Sequence, residues 1–202
     1  TIVHGILLSL LALSPAWAQQ ASDTIAPERA TGTTSAKRVE AKDFMVAAAN
    51  PLAAEAGREV IAKGGNAIDA MVAVQTVLGL VEPQSSGLGG GAFLVYFDAA
   101  SQKLSTFDGR EKAPMQATPK LFLDEKGQPL KFLDAVVGGR SVGTPGAVRL
   151  MEDVHKRFGK AEWASLFQPA EKLARDGFTV SPRLASLLAA EGDRLKTYEG
   201  PK

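Results

Sequence analysis

Apolar residues recur at helical spacing from Pro51 to Lys63, where Ala54, Gly57, Val60 and Ile61 fall on one stripe. Gly64-Gly65 ends that helix, and Asn66 stands where an N-cap is needed for the next. The second helix, Ala67 to about Val81, carries Ile68, Ala70, Met71, Val72, Val74, Val77 and Leu80 on nearly every face. Such a helix is buried between layers. Pro83 stops it. After a glycine cluster, Ala92 to Asp98 (AFLVYFD) and Leu104 to Asp108 (LSTFD) read as two strands of an antiparallel hairpin across a five-residue link.

The next stretch, Pro114 to about Val142, reads as Pro-rich loops with a short helix near Pro119 to Leu123 and turns at Gly127 and Gly138-Gly139. Gly143-Thr144-Pro145-Gly146 opens an amphipathic helix to about Phe158. Glu162 to Asp176 makes another helix, with Trp163, Leu166, Phe167, Ala170, Leu173 and Ala174 on one face, ended by Gly177. Ser181-Pro182 is an N-cap followed by Pro at the first helical position, starting a helix to about Glu191. Helices surrounding an antiparallel pair predict an α+β chain rather than a doubly wound sheet.

The N-terminal pattern is different. Ile6 to Leu13 is a short apolar run followed by Ala16-Trp17-Ala18, the small-x-small pattern of a signal peptidase site. Residues 1–18 are therefore expected to be an export signal, although no Lys or Arg precedes the run, and the mature chain to be periplasmic or secreted with no membrane span. Residues 19–42, rich in Ala, Ser, Thr and charge without periodicity, read as a flexible mature N-terminus.

Composition narrows the chemistry. The 202 residues carry 23 Lys and Arg against 22 Asp and Glu, a formal net charge of +1. Scattered charge of this kind argues against a nucleic-acid partner. Cysteine is absent, which removes disulfides, thiolate metal sites and cysteine nucleophiles, and two histidines leave no spare parts for a Ser-His-Asp triad. No Gly-x-Ser-x-Gly elbow or Ser-x-x-Lys pair activates a hydroxyl. Neither a metal nor a cofactor is expected.

Four features remain. The cluster Gly87-x-Gly89-Gly90-Gly91 follows a helix and opens a strand, the reverse of a dinucleotide fingerprint. Close backbone packing beneath the buried helix is the favoured reading, a backbone role beside a ligand the other. Asp69, charged among apolar residues and three after Asn66, reads as a capping group. His155, within a mixed-charge helix, reads as solvent-facing. Arg110 follows a strand, between Asp108 and Glu111. A guanidinium there suits bidentate capture of a carboxylate, but residue chemistry alone favours pairing with its own neighbouring acids.

Five segments in register tip that balance: AAEAGREVIAKGGNAIDAMVA (53–73), EPQSSGLGGG (82–91), FDGREKAP (107–114), VGTPG (142–146) and PAEKLARDGF (169–178). Together they resemble the large subunit of γ-glutamyltranspeptidases from about Phe44 to about Leu195. The resemblance implies an N-terminal-nucleophile hydrolase with an αββα sandwich, incomplete in residues 43–202. It further implies a precursor that cleaves itself and a small-subunit threonine that forms a γ-glutamyl-enzyme intermediate, its own α-amino group serving as base. The substrates would be glutathione and related γ-glutamyl amides. By the same resemblance, the arginine of the Asp-x-Arg-Glu-x-Ala-Pro segment, Arg110 here, binds the α-carboxylate of the γ-glutamyl group. No Thr in the chain is followed by the Ser/Thr-His of the cleavage site, so no catalytic residue is expected in it, and the polypeptide alone is expected to be inactive. Two alternatives are a cephalosporin or glutaryl acylase of the same fold, and a non-enzymatic exported binding protein if the reading frame ended near Lys202.

Overall fold

A computed structural model describes residues 38–197; the signal segment and most of the 19–42 stretch lie outside the described residues. The elements run α1 (Pro51–Ala62), α2 (Ala67–Val81), β1 (Ala92–Asp98), β2 (Lys103–Gly109), α3 (Phe132–Val136), α4 (Ala147–Phe158), α5 (Gln168–Asp176) and α6 (Pro182–Leu195), with short 3-10 turns at Gly139–Ser141 and Trp163–Phe167. The chain is α+β, as its pattern predicts.

Helix α2 is the axis of the molecule. It buries Ile68, Val72, Ala73, Val77 and Val81 on different faces, which is why its apolar residues show no single stripe. Ala73, Val77 and Val81 meet Ala53 and Ala56 of α1. A Cβ at Gly57 would fall 2.6 Å from Val74 Cγ2, so the missing side chain sets how closely α1 and α2 approach. Ile68 meets Leu150 and Val154 of α4 together with Leu94, Tyr96 and Phe107 of the hairpin. Val72 packs with Met151 and Leu166. At roughly 1.5–3 kcal/mol for each large apolar side chain fully buried, these contacts supply most of what fixes α2 in place.

The hairpin pairs Ala92 with Gly109 through to Asp98 with Lys103. Its inner face carries Leu94, Tyr96 and Phe107. Its outer face exposes Phe93, Val95, Phe97 and Leu104, each more than half accessible. That alternation is the period of a strand with one face packed on helices.

Three expectations differ from the structure. No helix forms near Pro119 to Leu123: Leu121 N–H donates to Thr118 O and Leu123 N–H to Lys120 O, both at 3.0 Å, making successive turns that lead into a bridge between Leu123 and Pro129. The short helix lies later, at Phe132–Val136. The single helix expected over 162–176 is broken. Glu162 caps a 3-10 segment, accepting from Ala164 N–H at 3.0 Å and Ser165 N–H at 2.8 Å. Pro169, lacking an N–H, restarts the chain as α5 in its first turn. Helix α6 runs on to Leu195, past Glu191. Gly127 and Gly138 do turn with positive φ, at 75° and 96°.

Among the described residues no helix is long and apolar enough to cross a membrane.

Candidate functional site

Three of the sequence segments converge at the N-terminus of α4. Gly146 N–H and Ala147 N–H both donate to Gly90 O at 3.0 Å, so the glycine cluster supplies the acceptor that this helix start lacks in side-chain form. Lys112 and Thr144 exchange backbone hydrogen bonds, with Thr144 N–H donating at 2.8 Å and Lys112 N–H at 3.3 Å. A Cβ at Gly109 would sit 2.6 Å from Leu150 Cβ, and one at Gly146 would run into the Gly109 carbonyl. The end of β2 and the start of α4 thus touch backbone to backbone. Residues 110–112 are held on that rigid support.

The glycine cluster packs differently from expectation. A Cβ at Gly91 would lie 2.5 Å from Glu111 Oε2 and 2.9 Å from Arg110 Cα, whereas towards α2 the nearest approach is an ordinary contact, 3.7 Å, between Gly87 Cα and a Cβ built at Gly79. Gly90 and Gly91 make room for Arg110 and Glu111 rather than for the buried helix, whereas a Cβ at Gly87 or Gly89 would meet nothing within 4 Å.

Arg110 lies on a ridge between two open cavities of about 400 and 390 Å³, and lines both. Its side chain is 70% exposed, and its Nε stands 3.5 Å from Glu111 Oε2. Its backbone N–H donates to Asp108 Oδ1 at 2.9 Å, so the Asp108 side chain shapes the turn. The guanidinium therefore has one long ionic contact and further N–H donors available to a ligand. Arg149, on the wall of the larger cavity, is occupied by Asp153 at 3.0 Å. The sequence reading paired Glu111 with Arg110 but missed Lys112; the period of two along extended backbone, which sends positions 110 and 112 to the same side, is the signal that could have found it.

Asp69 is fully buried and caps α2, accepting from Asn66 N–H at 2.8 Å while Asn66 Oδ1 accepts from Ile68 and Asp69 N–H. The capping expected for it is present and extends further. Lys160 N–H and Ala161 N–H also donate to it, at 3.1 and 3.2 Å, across 91 and 92 residues. His155 does not face solvent. Its side chain is 13% exposed, with Nε2 3.0 Å from Ala161 O and 3.3 Å from Asp69 Oδ1. A carbonyl and a carboxylate can only accept, so Nε2 carries the hydrogen. The mixed charge of α4 hid this, because the ring turns back beneath the helix end against Trp163.

At the far end of α2, Glu82 is buried and accepts from Asn50 Nδ2 at 2.9 Å, Gln84 Nε2 at 2.6 Å and Arg183 Nη1 at 3.0 Å. Burial alone would push its carboxyl up. The Asn50 and Gln84 hydrogen bonds and the Arg183 charge outweigh that and hold it below the ordinary 4.5.

Comparison with known proteins gives these features a lineage. The family model described as Gamma-glutamyltranspeptidase matches residues 53–202. A glutathione hydrolase proenzyme of Bacillus subtilis (strain 168) is 42% identical over 154 residues, covering 76% of this chain and 26% of the relative. A glutathione hydrolase proenzyme of Escherichia coli (strain K12) is 38% identical over 160 residues, covering 79% and 26%. The crystal structure of Helicobacter pylori gamma-glutamyltranspeptidase superposes with a TM-score of 0.76 at 36% identity, over 82% of this chain and 47% of that one. A cephalosporin acylase from Bacillus halodurans gives 0.67 at 32% identity, over 86% and 32%. The chain spans about a quarter of the length of the curated relatives it matches. Its α+β arrangement is part of the N-terminal-nucleophile hydrolase fold these structures share. With three of the segments meeting at one helix start and the family model spanning most of the sequence, the chain belongs to the gamma-glutamyltranspeptidase family.

Proposed function

We propose that the complete protein transfers or hydrolyses the γ-glutamyl group of glutathione and related γ-glutamyl amides, and that Arg110 binds the α-carboxylate of that group. The observation that carries the reading is the guanidinium on a backbone-braced ridge between two cavities, with one ionic contact at 3.5 Å. A carboxylate can accept two parallel N–H bonds from a guanidinium, and such charge-assisted pairs contribute about 1.5–3 kcal/mol. The threonine that takes up the γ-glutamyl group lies, in this reading, in a small subunit cut from the same precursor, outside the present chain; the relatives named proenzymes support that. Export to the periplasm or medium is part of the same proposal, resting on the Ile6 to Ala18 pattern.

The test is the complete enzyme assayed with γ-glutamyl-p-nitroanilide. Arg110→Ala raises KM by about 10- to 100-fold, the fold-change equivalent of that contribution. Arg110→Lys is also impaired, because a point charge cannot reproduce the planar fork. An unchanged KM in the alanine variant removes the assignment. The likeness to a cephalosporin acylase supports a second reading, an acylase acting on glutaryl amides. Turnover of a glutaryl-cephalosporin in preference to the γ-glutamyl anilide would favour it.

A further inference from the structure

Arg110 is not the only cation on the ridge. Lys112, two residues on, lines the same two cavities. Its backbone is pinned by the exchange of hydrogen bonds with Thr144, so the stem leaves from a fixed point. The acids on the larger cavity's wall are already engaged: Asp108 accepts from the Arg110 backbone and Asp153 holds Arg149. Glu111 stands beside Arg110. Among the described residues no carboxylate pairs with the Lys112 ammonium. The ridge therefore presents two positive groups, one a planar fork and the other a mobile point charge on a four-carbon stem.

We infer that Lys112 is a specificity-determining residue that recognises a second carboxylate, the one carried by the amine side of the scissile amide. This rests on the assignment of Arg110 to the γ-glutamyl carboxylate. With that anion held by Arg110, Lys112 selects γ-glutamyl compounds whose leaving amine is itself acidic, as in γ-glutamyl peptides, over those whose leaving amine is neutral. Because the side chain is exposed, the preference is modest and electrostatic in kind.

Two anilides that differ by one group read this directly: γ-glutamyl-p-nitroanilide and the same compound with a carboxylate on the ring, both assayed with the complete enzyme. The quantity is the ratio of KM for the carboxylated anilide to KM for the neutral one. Lys112→Met raises that ratio about threefold to fivefold at low salt, the scale of an exposed ion pair. Lys112→Arg keeps the wild-type ratio. At about 1 M salt, where the screening length shrinks to about 3 Å, wild type and Lys112→Met converge. A merely structural role moves both KM values together and leaves the ratio alone, and an unchanged ratio overturns the inference. So does a raised ratio that salt leaves intact. Wild-type enzyme that turns over neither anilide overturns the functional reading itself, a failure distinct from that of Lys112.

Discussion

Asp69, in the first turn of α2, and Arg110, just past the end of β2, are both charged side chains, yet they are held in opposite ways. Asp69 is fully buried and takes backbone N–H bonds from Asn66, Lys160 and Ala161, with His155 alongside. Arg110 is 70% exposed and has a single partner at 3.5 Å, although the backbone beneath it is packed too tightly for a Cβ at Gly109 or Gly146. A buried charge with its bonding capacity filled locks two helix ends together and has nothing left to offer a ligand. A charge with spare donors on a stiff support is prepared for one.

The largest expected effect breaks the first half of that comparison. Asp69→Ala leaves the N–H groups of Asn66, Lys160 and Ala161 without their carboxylate acceptor and costs about 3–5 kcal/mol in urea unfolding of the complete protein. Arg110→Ala in the same experiment stays within about 0.5 kcal/mol of wild type. If the two losses were comparable, the contrast between a structural charge and a ligand-binding one would fail.

Gly146→Ala attacks the support rather than either charge. The added Cβ meets the Gly109 carbonyl, so β2 and α4 must part, at a cost of about 1–3 kcal/mol. It should also raise KM for γ-glutamyl-p-nitroanilide, whereas Gly192→Ala, where a Cβ meets nothing within 4 Å, should do neither.

Glu82 sharpens the comparison with a second buried acid. Its carboxyl is held below 4.5 in the folded state, so the stability it contributes is complete above that pH and disappears as pH falls through the folded value. Urea midpoints collected from neutral pH down to the carboxylate range should show wild type weakening below about 4.5. Glu82→Gln should be less stable at neutral pH by about 1–2 kcal/mol, with a flatter acid limb. Parallel limbs would remove Glu82 as the source.

The smallest effect belongs to Glu111, whose contact with Arg110 is long. Glu111→Gln keeps the packing against Gly91 but loosens the one ionic contact that steadies the guanidinium, so a rise in KM of about twofold to fivefold is expected, the scale of an exposed pair.

Much of the fold was legible because local rules and packing agree. Asn66 with Asp69 three residues later is a capping box in sequence and in space, and the apolar excess of Ala67–Val81 foretold a helix buried on several sides. The hairpin register follows the alternation of β1. What failed was local pattern overruled by a single residue: Pro169 breaks a periodicity that otherwise runs unbroken from Glu162 to Asp176. His155 failed because its partners, Asp69 and Ala161, are joined to it by a turn back of the chain that no helical period encodes. For the candidate site, Arg110 could be singled out, but its ridge could not. The neighbours that brace it come from three segments separated by more than fifty residues of sequence, from Gly90 to Gly146.

The most direct test asks whether Arg110 touches the substrate's α-carboxylate. In the complete enzyme, kcat/KM for γ-glutamyl-p-nitroanilide is compared with that for the analogue whose α-carboxylate is replaced by hydrogen, in wild type and in Arg110→Ala. Wild type should discriminate by about 10- to 100-fold, and the variant by less than about threefold, since the group that distinguishes the two substrates is gone. An alanine variant that retains the wild-type discrimination contradicts the account.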